Sequence, residues 1–139
     1  MLKKQLAQEE GNVPYAYQDH LGYWTIGIGF LIDKRKGGGL RPEEIEYIFN
    51  NRIKLLKEEL NKKIPWINSL NEPRQAVLIS MAYQMGVDGL LGFKNTLNTI
   101  KSGGYSKGAK EMLLSKWART DTPERAKRMS IQMQTGLWQ

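Results

Sequence analysis

The sequence of 139 residues contains no cysteine and only one histidine, His20. Without cysteine the chain can form neither a disulfide nor a thiolate metal site, and it has no thiol nucleophile. A single histidine among scattered carboxylates is a poor set of metal ligands, so we predict no metal site and no cofactor. The Gly27-x-Gly29 pair is followed by a strand pattern and not by a helix, which argues against a phosphate-binding loop.

Long apolar runs are also missing. No stretch approaches the roughly 20 apolar residues that a membrane-spanning helix needs. The first ten residues, MLKKQLAQEE, contain no apolar segment of the signal-peptide type. We therefore expect no stable membrane insertion and no export by a signal of the chain's own.

Basic residues outnumber acidic residues by 21 to 14, which gives a net charge of +7. Residues 101–139 hold eight basic and three acidic residues, so five of the seven excess charges lie there. A basic face favours an anionic partner such as nucleic acid, a membrane surface or an anionic cell wall. A solvated helix surface explains the same composition, and charge alone leaves both interpretations open.

The spacing of apolar residues predicts an α+β fold. Residues 2–9 have helical spacing, and strand-forming residues with turn signals then predict a small antiparallel sheet between residues 15 and 32. The turn of its first hairpin is assigned to residues 19–22. A long helix at about 42–62, roughly 30 Å in length, carries an apolar stripe. Further helices are predicted near 72–85, 88–92, 94–101, 105–117 and 123–133.

This order predicts one domain, 1–139, with two lobes. A small N-terminal β lobe, about 12–40, is joined by the long helix to a mostly helical C-terminal lobe, about 64–139, with which we group helix 2–9. A cleft is expected between the lobes. Such layered arrangements are typical of α+β proteins.

Three residues near the N-terminus carry candidate chemistry for glycoside hydrolysis. That reaction needs a carboxylic acid that protonates the leaving oxygen, and a carboxylate that stabilises positive charge or activates water. Glu10 ends the first helix, Asp19 lies in the predicted turn, and Thr25 lies on the following strand. Each also has an ordinary structural explanation, namely a solvated helix carboxylate, a turn former and a β-branched strand residue.

The order of several motifs resembles the phage lysozyme (endolysin) family. The spacing of Glu10, Asp19 and Thr25 matches the family's catalytic signature of Glu, eight residues, Asp or Cys, five residues and Thr. Matching segments in family order are Gly22–Gly29, Gln84–Gly86, Gly92–Leu97, Thr122–Arg128 and Thr135–Trp138. The resemblance implies a lysozyme-like fold and a muramidase that cuts between N-acetylmuramic acid and N-acetylglucosamine in peptidoglycan.

The resemblance also implies residue roles. Glu10 is the general acid, and Asp19 with Thr25 holds the attacking water or supports the oxocarbenium charge. Other positions match residues of the family's cleft: Leu31, Tyr83 with the adjacent Gln84, Thr96, and Arg125, which would face the catalytic glutamate. Their structural alternatives are core positions for Leu31 and Tyr83, an ordinary helix residue for Thr96 and a surface charge for Arg125.

Phe30 departs from the family, because it stands where other members carry histidine, and this puts a family ion pair in doubt. The implied partners are peptidoglycan strands and the anionic envelope, with no nucleic acid, and the implied state is a monomer. The implied location is the host cytoplasm, with release through a separately permeabilised inner membrane. Two alternatives stay open. One is a lytic transglycosylase, and the other is a non-catalytic basic module that binds cell wall or membrane through residues 101–139.

Overall fold

The computed structural model describes residues 2–18, 20–27, 30–31 and 39–139. It confirms the predicted α+β class, with one small antiparallel sheet early in the chain and helices after it. In chain order the elements are α1 (Leu2–Glu10), β1 (Val13–Gln18), β2 (Trp24–Gly27), β3 (Phe30–Leu31), α2 (Pro42–Lys63), a 3₁₀ segment (Pro65–Ser69), α3 (Glu72–Leu91), α4 (Lys94–Lys101), α5 (Tyr105–Met112), a π-helical segment (Trp117–Asp121) and α6 (Pro123–Thr135).

Two compact units make up the chain, Met1–Asn51 and Arg52–Gln139. The boundary between them falls inside helix α2. The lobe boundaries, the grouping of the first helix with the helical lobe and the cleft stay predictions.

In the first unit, a short helix leads into the sheet. Helix α1 ends at Glu10, and Gly11 follows with a φ of 78°, a conformation that glycine adopts without strain. The Gly11 amide donates to the Ala7 carbonyl over 3.0 Å and so closes the helix. The chain can therefore turn directly into β1, two residues later.

The sheet has the strand order β1-β2-β3, with β2 in the centre. Strand β1 pairs antiparallel with β2, and the register aligns Tyr17 with Thr25 and Gln18 with Trp24. Strand β3 pairs antiparallel with the other edge of β2, where Leu31 is the partner of Thr25. Thr25 is thus flanked on both sides by paired backbone.

The second unit contains the hydrophobic core. This core is one cluster of buried apolar residues between Leu60 and Met133. Val77, Leu78 and Met81 of α3 are part of it and are each at most 1% exposed. Asn71 caps α3 by accepting a hydrogen bond from the Arg74 amide over 3.1 Å. The body of this helix, residues 76–85, is apolar nearly all round, which is typical of a helix in the centre of a lobe.

Gly86 interrupts α3 with φ 83° and ψ 160°, a backbone conformation essentially restricted to glycine. The sequence prediction that the first part of this helix closes at Gly86 agrees with that break. The helix prediction for 105–117 was too long, because α5 ends at Met112 and the chain passes through turns before Trp117. Ser115 causes part of this change, since its hydroxyl donates to the Met112 carbonyl over 2.7 Å and accepts from the Ala118 amide.

The apolar stripe of α2 is buried at one end only. Leu60 is 1% exposed, whereas Ile45 and Phe49 are 54% and 47% exposed. The difference arises because the core is built from residues of the second unit, which begins at Arg52. In the part of the chain that the structure describes, no single helix could cross a membrane, although α3 and α4, bent by 103°, reach the necessary length and composition together.

Candidate functional site

The first unit carries four of the predicted site residues. Glu10 is the last residue of α1, and Leu31 is the last residue of β3; the side chains of both lie outside the described part of the structure. Asp19 also lies outside the described residues. Its neighbour Gln18 pairs with Trp24, so the chain returns within a few residues to the strand of Thr25. Glu10 at the end of α1, Thr25 in the central strand β2 and Leu31 at the end of β3 therefore all belong to the first unit.

Thr25 is 5% exposed, and its hydroxyl donates a hydrogen bond to the Tyr23 carbonyl over 3.2 Å. A threonine hydroxyl has one hydrogen and two acceptor lone pairs. Since the hydrogen is directed at Tyr23, the oxygen can act toward a further group as an acceptor. Such an oxygen suits a water molecule that needs to donate a hydrogen.

In the second unit, helix α3 places Ser80, Tyr83 and Gln84 on one face, because residues three and four apart lie together on a helix. Arg125 of α6 reaches this face. Its Nη2 donates to the Ser80 carbonyl over 3.1 Å and to Ser80 Oγ over 2.7 Å. Arg125 is half-buried, so it is held in place and is not a free surface charge.

Gln84 connects α3 to the π-helical segment. Its Oε1 accepts a hydrogen bond from Trp117 Nε1 over 3.0 Å, and its Nε2 donates to Thr122 Oγ1 over 3.3 Å. Trp117 is 5% exposed, whereas the neighbouring Tyr83 is 53% exposed. Tyr83 therefore is no core residue and has its side chain accessible to a ligand.

Thr96, 6% exposed, lines a cavity of about 840 Å³ between α4 and α5, which we call the Thr96 cavity. Ligand sites typically have volumes of 300–1,000 Å³. Thr99 Oγ1 lies 3.2 Å from both carboxylate oxygens of Glu111 on this wall. The remaining lining is mixed: Gly92, Phe93, Lys94, Asn95, Asn98, Lys107, Leu114 and Ser115. Hydroxyl, amide and charged groups of this kind suit a sugar or a peptide.

A second cavity, of about 440 Å³, adjoins the Thr96 cavity, and we call it the Trp117 cavity. It shares Gly92, Phe93 and Ser115 with the Thr96 cavity. Phe93 and Trp117 meet edge to face, with ring centroids 6.3 Å apart and an interplanar angle of 88°. The Trp117 cavity thus lies next to the Thr96 cavity, and Trp117, which lines it, donates its indole hydrogen bond to Gln84.

Sequence reasoning missed several residues of this region. Ser80 accepts a hydrogen bond from Arg125, and Thr122 accepts one from Gln84. Glu111 lines the Thr96 cavity. Met112 and Trp117 fall in the predicted helix 105–117, within the basic segment for which membrane binding was left open. Both Met112 and Trp117 are buried, at 0% and 5% exposure, which places them in the core. The Thr122-Pro123 pair, which begins the family segment Thr122–Arg128, was the sequence feature that could have drawn attention to Thr122.

A comparison with protein families decides what this arrangement belongs to. The model of the phage lysozyme family matches residues 7–132, which include all eight predicted site residues. The chain belongs to the phage lysozyme family. This membership confirms the resemblance and the lysozyme-like fold, and it supports lysozyme-type activity of a glycosidase.

Individual relatives agree with the family assignment. Two proteins of Dictyostelium discoideum, "Probable T4-type lysozyme 1" and "Probable T4-type lysozyme 2", are each 29% identical to the chain over 161 aligned positions, which cover 97% of it and 94% of each relative. The pre-baseplate central spike protein Gp5 of Enterobacteria phage T4 is 28% identical over 97% of the chain but only 28% of its own length. At least 22 of the 161 positions are gaps in this chain, since it has 139 residues.

Proposed function

We propose that this chain is a muramidase that hydrolyses the β-1,4 bond between N-acetylmuramic acid and N-acetylglucosamine in peptidoglycan. The observation that carries the proposal is the family match over residues 7–132, which contains the Glu10, Asp19 and Thr25 spacing. In this proposal Glu10 protonates the leaving glycosidic oxygen. General acid catalysis of this kind typically contributes about 10²–10⁴-fold to the rate.

Asp19 and Thr25 act on the water molecule. Asp19 accepts one hydrogen of the water, or steadies the positive charge that develops on the sugar. Thr25 supports this role because its hydroxyl hydrogen is directed at the Tyr23 carbonyl, which leaves the oxygen to accept the other hydrogen. The water is then oriented with a lone pair toward the anomeric carbon.

The second unit would bind the glycan and the groups attached to it. Tyr83 would provide an exposed ring, and Gln84 would provide an amide held by Trp117. Thr96 lines a cavity that is large enough for a sugar unit. Arg125 adds a fixed positive charge whose position is set by Ser80. Leu31, paired with Thr25 in the sheet, would contribute an apolar contact.

In the cell, the proposed role is that of an endolysin. The enzyme would collect in the host cytoplasm as a monomer and reach the wall after a separate protein permeabilises the inner membrane. The net charge of +7 supports attraction to an anionic envelope.

The test compares two neighbouring carboxylates of α1. Glu10→Gln should reduce cleavage of purified peptidoglycan by at least about 10²-fold, as expected for loss of a general acid. Glu9→Gln is the matched control, because Glu9 is an exposed carboxylate of the same helix. Activity of the Glu10 variant within a few-fold of the control would refute the assignment.

Mass spectrometry of the products separates hydrolysis from transglycosylation. In oxygen-18 water a hydrolase adds one labelled oxygen to each new reducing end. A lytic transglycosylase uses a hydroxyl of the sugar itself, so its anhydro product lacks the mass of that water and the label. Mainly anhydro-muramic ends would overturn the hydrolase assignment and the roles of Asp19 and Thr25.

A further inference from the structure

A third cavity lies on the second unit, with a volume of about 250 Å³. We call it the Trp66 cavity, because the half-buried Trp66 lies among its apolar lining residues. Three exposed lysines from two helices line it as well: Lys63, Lys94 and Lys101. Its lining includes no carboxylate, and no ion pair or hydrogen bond neutralises these three ammonium groups within the residues that the structure describes.

Helix stability does not account for all three lysines. Lys63 and Lys101 end α2 and α4, where a positive charge interacts favourably with the helix dipole. Lys94, however, is the first residue of α4, where the same dipole disfavours a positive charge. Lys94 and Lys101 are seven residues apart, so they lie on one face of α4 about 10 Å apart along its axis. This spacing is comparable to the Debye length of about 8–10 Å, so an anion between Lys94 and Lys101 lies within the range of both charges, and Lys63 lines the same cavity.

We propose that the Trp66 cavity binds a phosphodiester-linked polyol or sugar polymer of the bacterial envelope. The lysines would contact successive phosphates, and the indole of Trp66 would pack against the apolar face of a polyol or sugar unit. The catalytic residues take no part in this binding, and the site stands whether or not the proposed hydrolase activity is correct.

The surroundings of the cavity favour this polymer over other polyanions. Lys94 and Asn98 line both the Trp66 cavity and the Thr96 cavity, so a wall polymer could continue from one to the other. A single-stranded nucleic acid typically stacks its bases on several aromatic residues, whereas Trp66 is the one aromatic residue that lines this cavity. A concave cavity of about 250 Å³ also suits a chain of small repeating units better than the flat surface of a bilayer.

The experiment measures binding of the intact chain to soluble poly(glycerol phosphate) by titration calorimetry. The variant Lys63→Gln/Lys94→Gln/Lys101→Gln is compared with Lys54→Gln/Lys110→Gln/Lys127→Gln, which loses the same charge at exposed positions that line none of the cavities described above. Each exposed ion pair contributes up to about fivefold in affinity. The first variant should therefore bind about 10- to 100-fold more weakly than the unsubstituted chain, and the second within about threefold.

Trp66→Leu should also weaken binding while circular dichroism shows an unchanged fold. Equal losses in the two triple variants would show a general charge effect and overturn the site. So would absence of binding to the polymer, or tighter binding at these lysines to a single-stranded oligonucleotide of equal phosphate number or to phosphatidylglycerol vesicles. A chain that binds the polymer but does not cleave peptidoglycan would refute the proposed function alone.

Discussion

Gly136→Ala should destabilise the protein by more than its backbone conformation alone predicts. Gly136 caps α6 with φ 68° and ψ 20°, in the left-handed region. A Cβ atom there would lie 2.9 Å from Cζ and Nη1 of Arg74 and from Nδ2 of Asn71. Since no Cβ tolerates such contacts, both the guanidinium of Arg74 and the side-chain amide of Asn71 have to move.

The size of the stability loss follows from the hydrogen bonds and the ring contact that Arg74 makes in its present position. Its Nε donates to the Met133 carbonyl over 2.8 Å, its Nη2 donates to the Gln134 carbonyl over 3.0 Å, and its Cζ lies 3.8 Å from the centre of the Tyr105 ring. Hydrogen bonds contribute about 0.5–1.5 kcal/mol each and an exposed cation–π contact about 0.5–1 kcal/mol. With about 1 kcal/mol for the left-handed backbone, the expected loss is about 2.5–5 kcal/mol.

Gly103→Ala is the matched control, because Gly103 has φ 85° and no atom within 4 Å of an added Cβ. It should lose only the backbone contribution, about 1 kcal/mol. Urea unfolding measures both values, and in thermal melts each 1 kcal/mol corresponds to a fall in Tm of about 4 °C for a chain of this size.

A double-mutant cycle isolates the contact with Arg74. In an Arg74→Ala background, the cost of Gly136→Ala should fall toward that of Gly103→Ala. Equal costs for the two glycine substitutions in the unsubstituted chain would refute the reasoning.

Three further predictions follow from the site and the core. Thr25→Val should lower kcat on a soluble oligosaccharide with little change in KM, whereas Thr25→Ser should retain most of the activity, because the proposed role needs only the hydroxyl; a rise in KM alone would make Thr25 a binding residue. Gly108→Ala places a Cβ 2.7 Å from Ile100 Cγ1 in the buried contact of α4 with α5, so urea unfolding should show a net loss of about 1–2 kcal/mol, and a gain of stability would contradict the packing argument. Lysis of intact walls should fall with added salt more steeply than cleavage of short neutral oligosaccharides, because salt screens the charge of +7; equal salt sensitivity of the two substrates would exclude this attraction.

Local sequence patterns were sufficient for most of the elements. Pro42 and the lysines at 62 and 63 bound α2 within one residue of the prediction, and the apolar residues from Ala76 to Met85 marked the buried α3. These features depend on neighbours within a few positions along the chain. The same approach predicted the end of α5 wrongly. Leu113 and Leu114 continue the helical spacing, but the helix ends at Met112, where the Ser115 hydroxyl donates to the Met112 carbonyl.

The candidate site depends on contacts that are distant in sequence. Arg125 is fixed by Ser80, 45 positions earlier, and Gln84 by Trp117, 33 positions later. No periodicity or motif in either segment specifies its partner, because these pairs form only when α3, α6 and the π-helical segment pack together. The spacing of Glu10, Asp19 and Thr25 could be recognised because it matches the family's catalytic signature, and the roles of these residues stay predictions.

The indole of Trp117 has a consequence for what a ligand meets at Gln84. An indole N–H can only donate, so it fixes the amide of Gln84 with the oxygen turned inward and the nitrogen turned toward Thr122. Only one hydrogen of that nitrogen is directed at Thr122 Oγ1, and Gln84 is exposed. The amide thus has a defined polarity, and a sugar that approaches it from solvent encounters an N–H. The carbonyl oxygen of an acetamido substituent can accept from that N–H, so the fixed amide favours an acceptor at this position of a ligand.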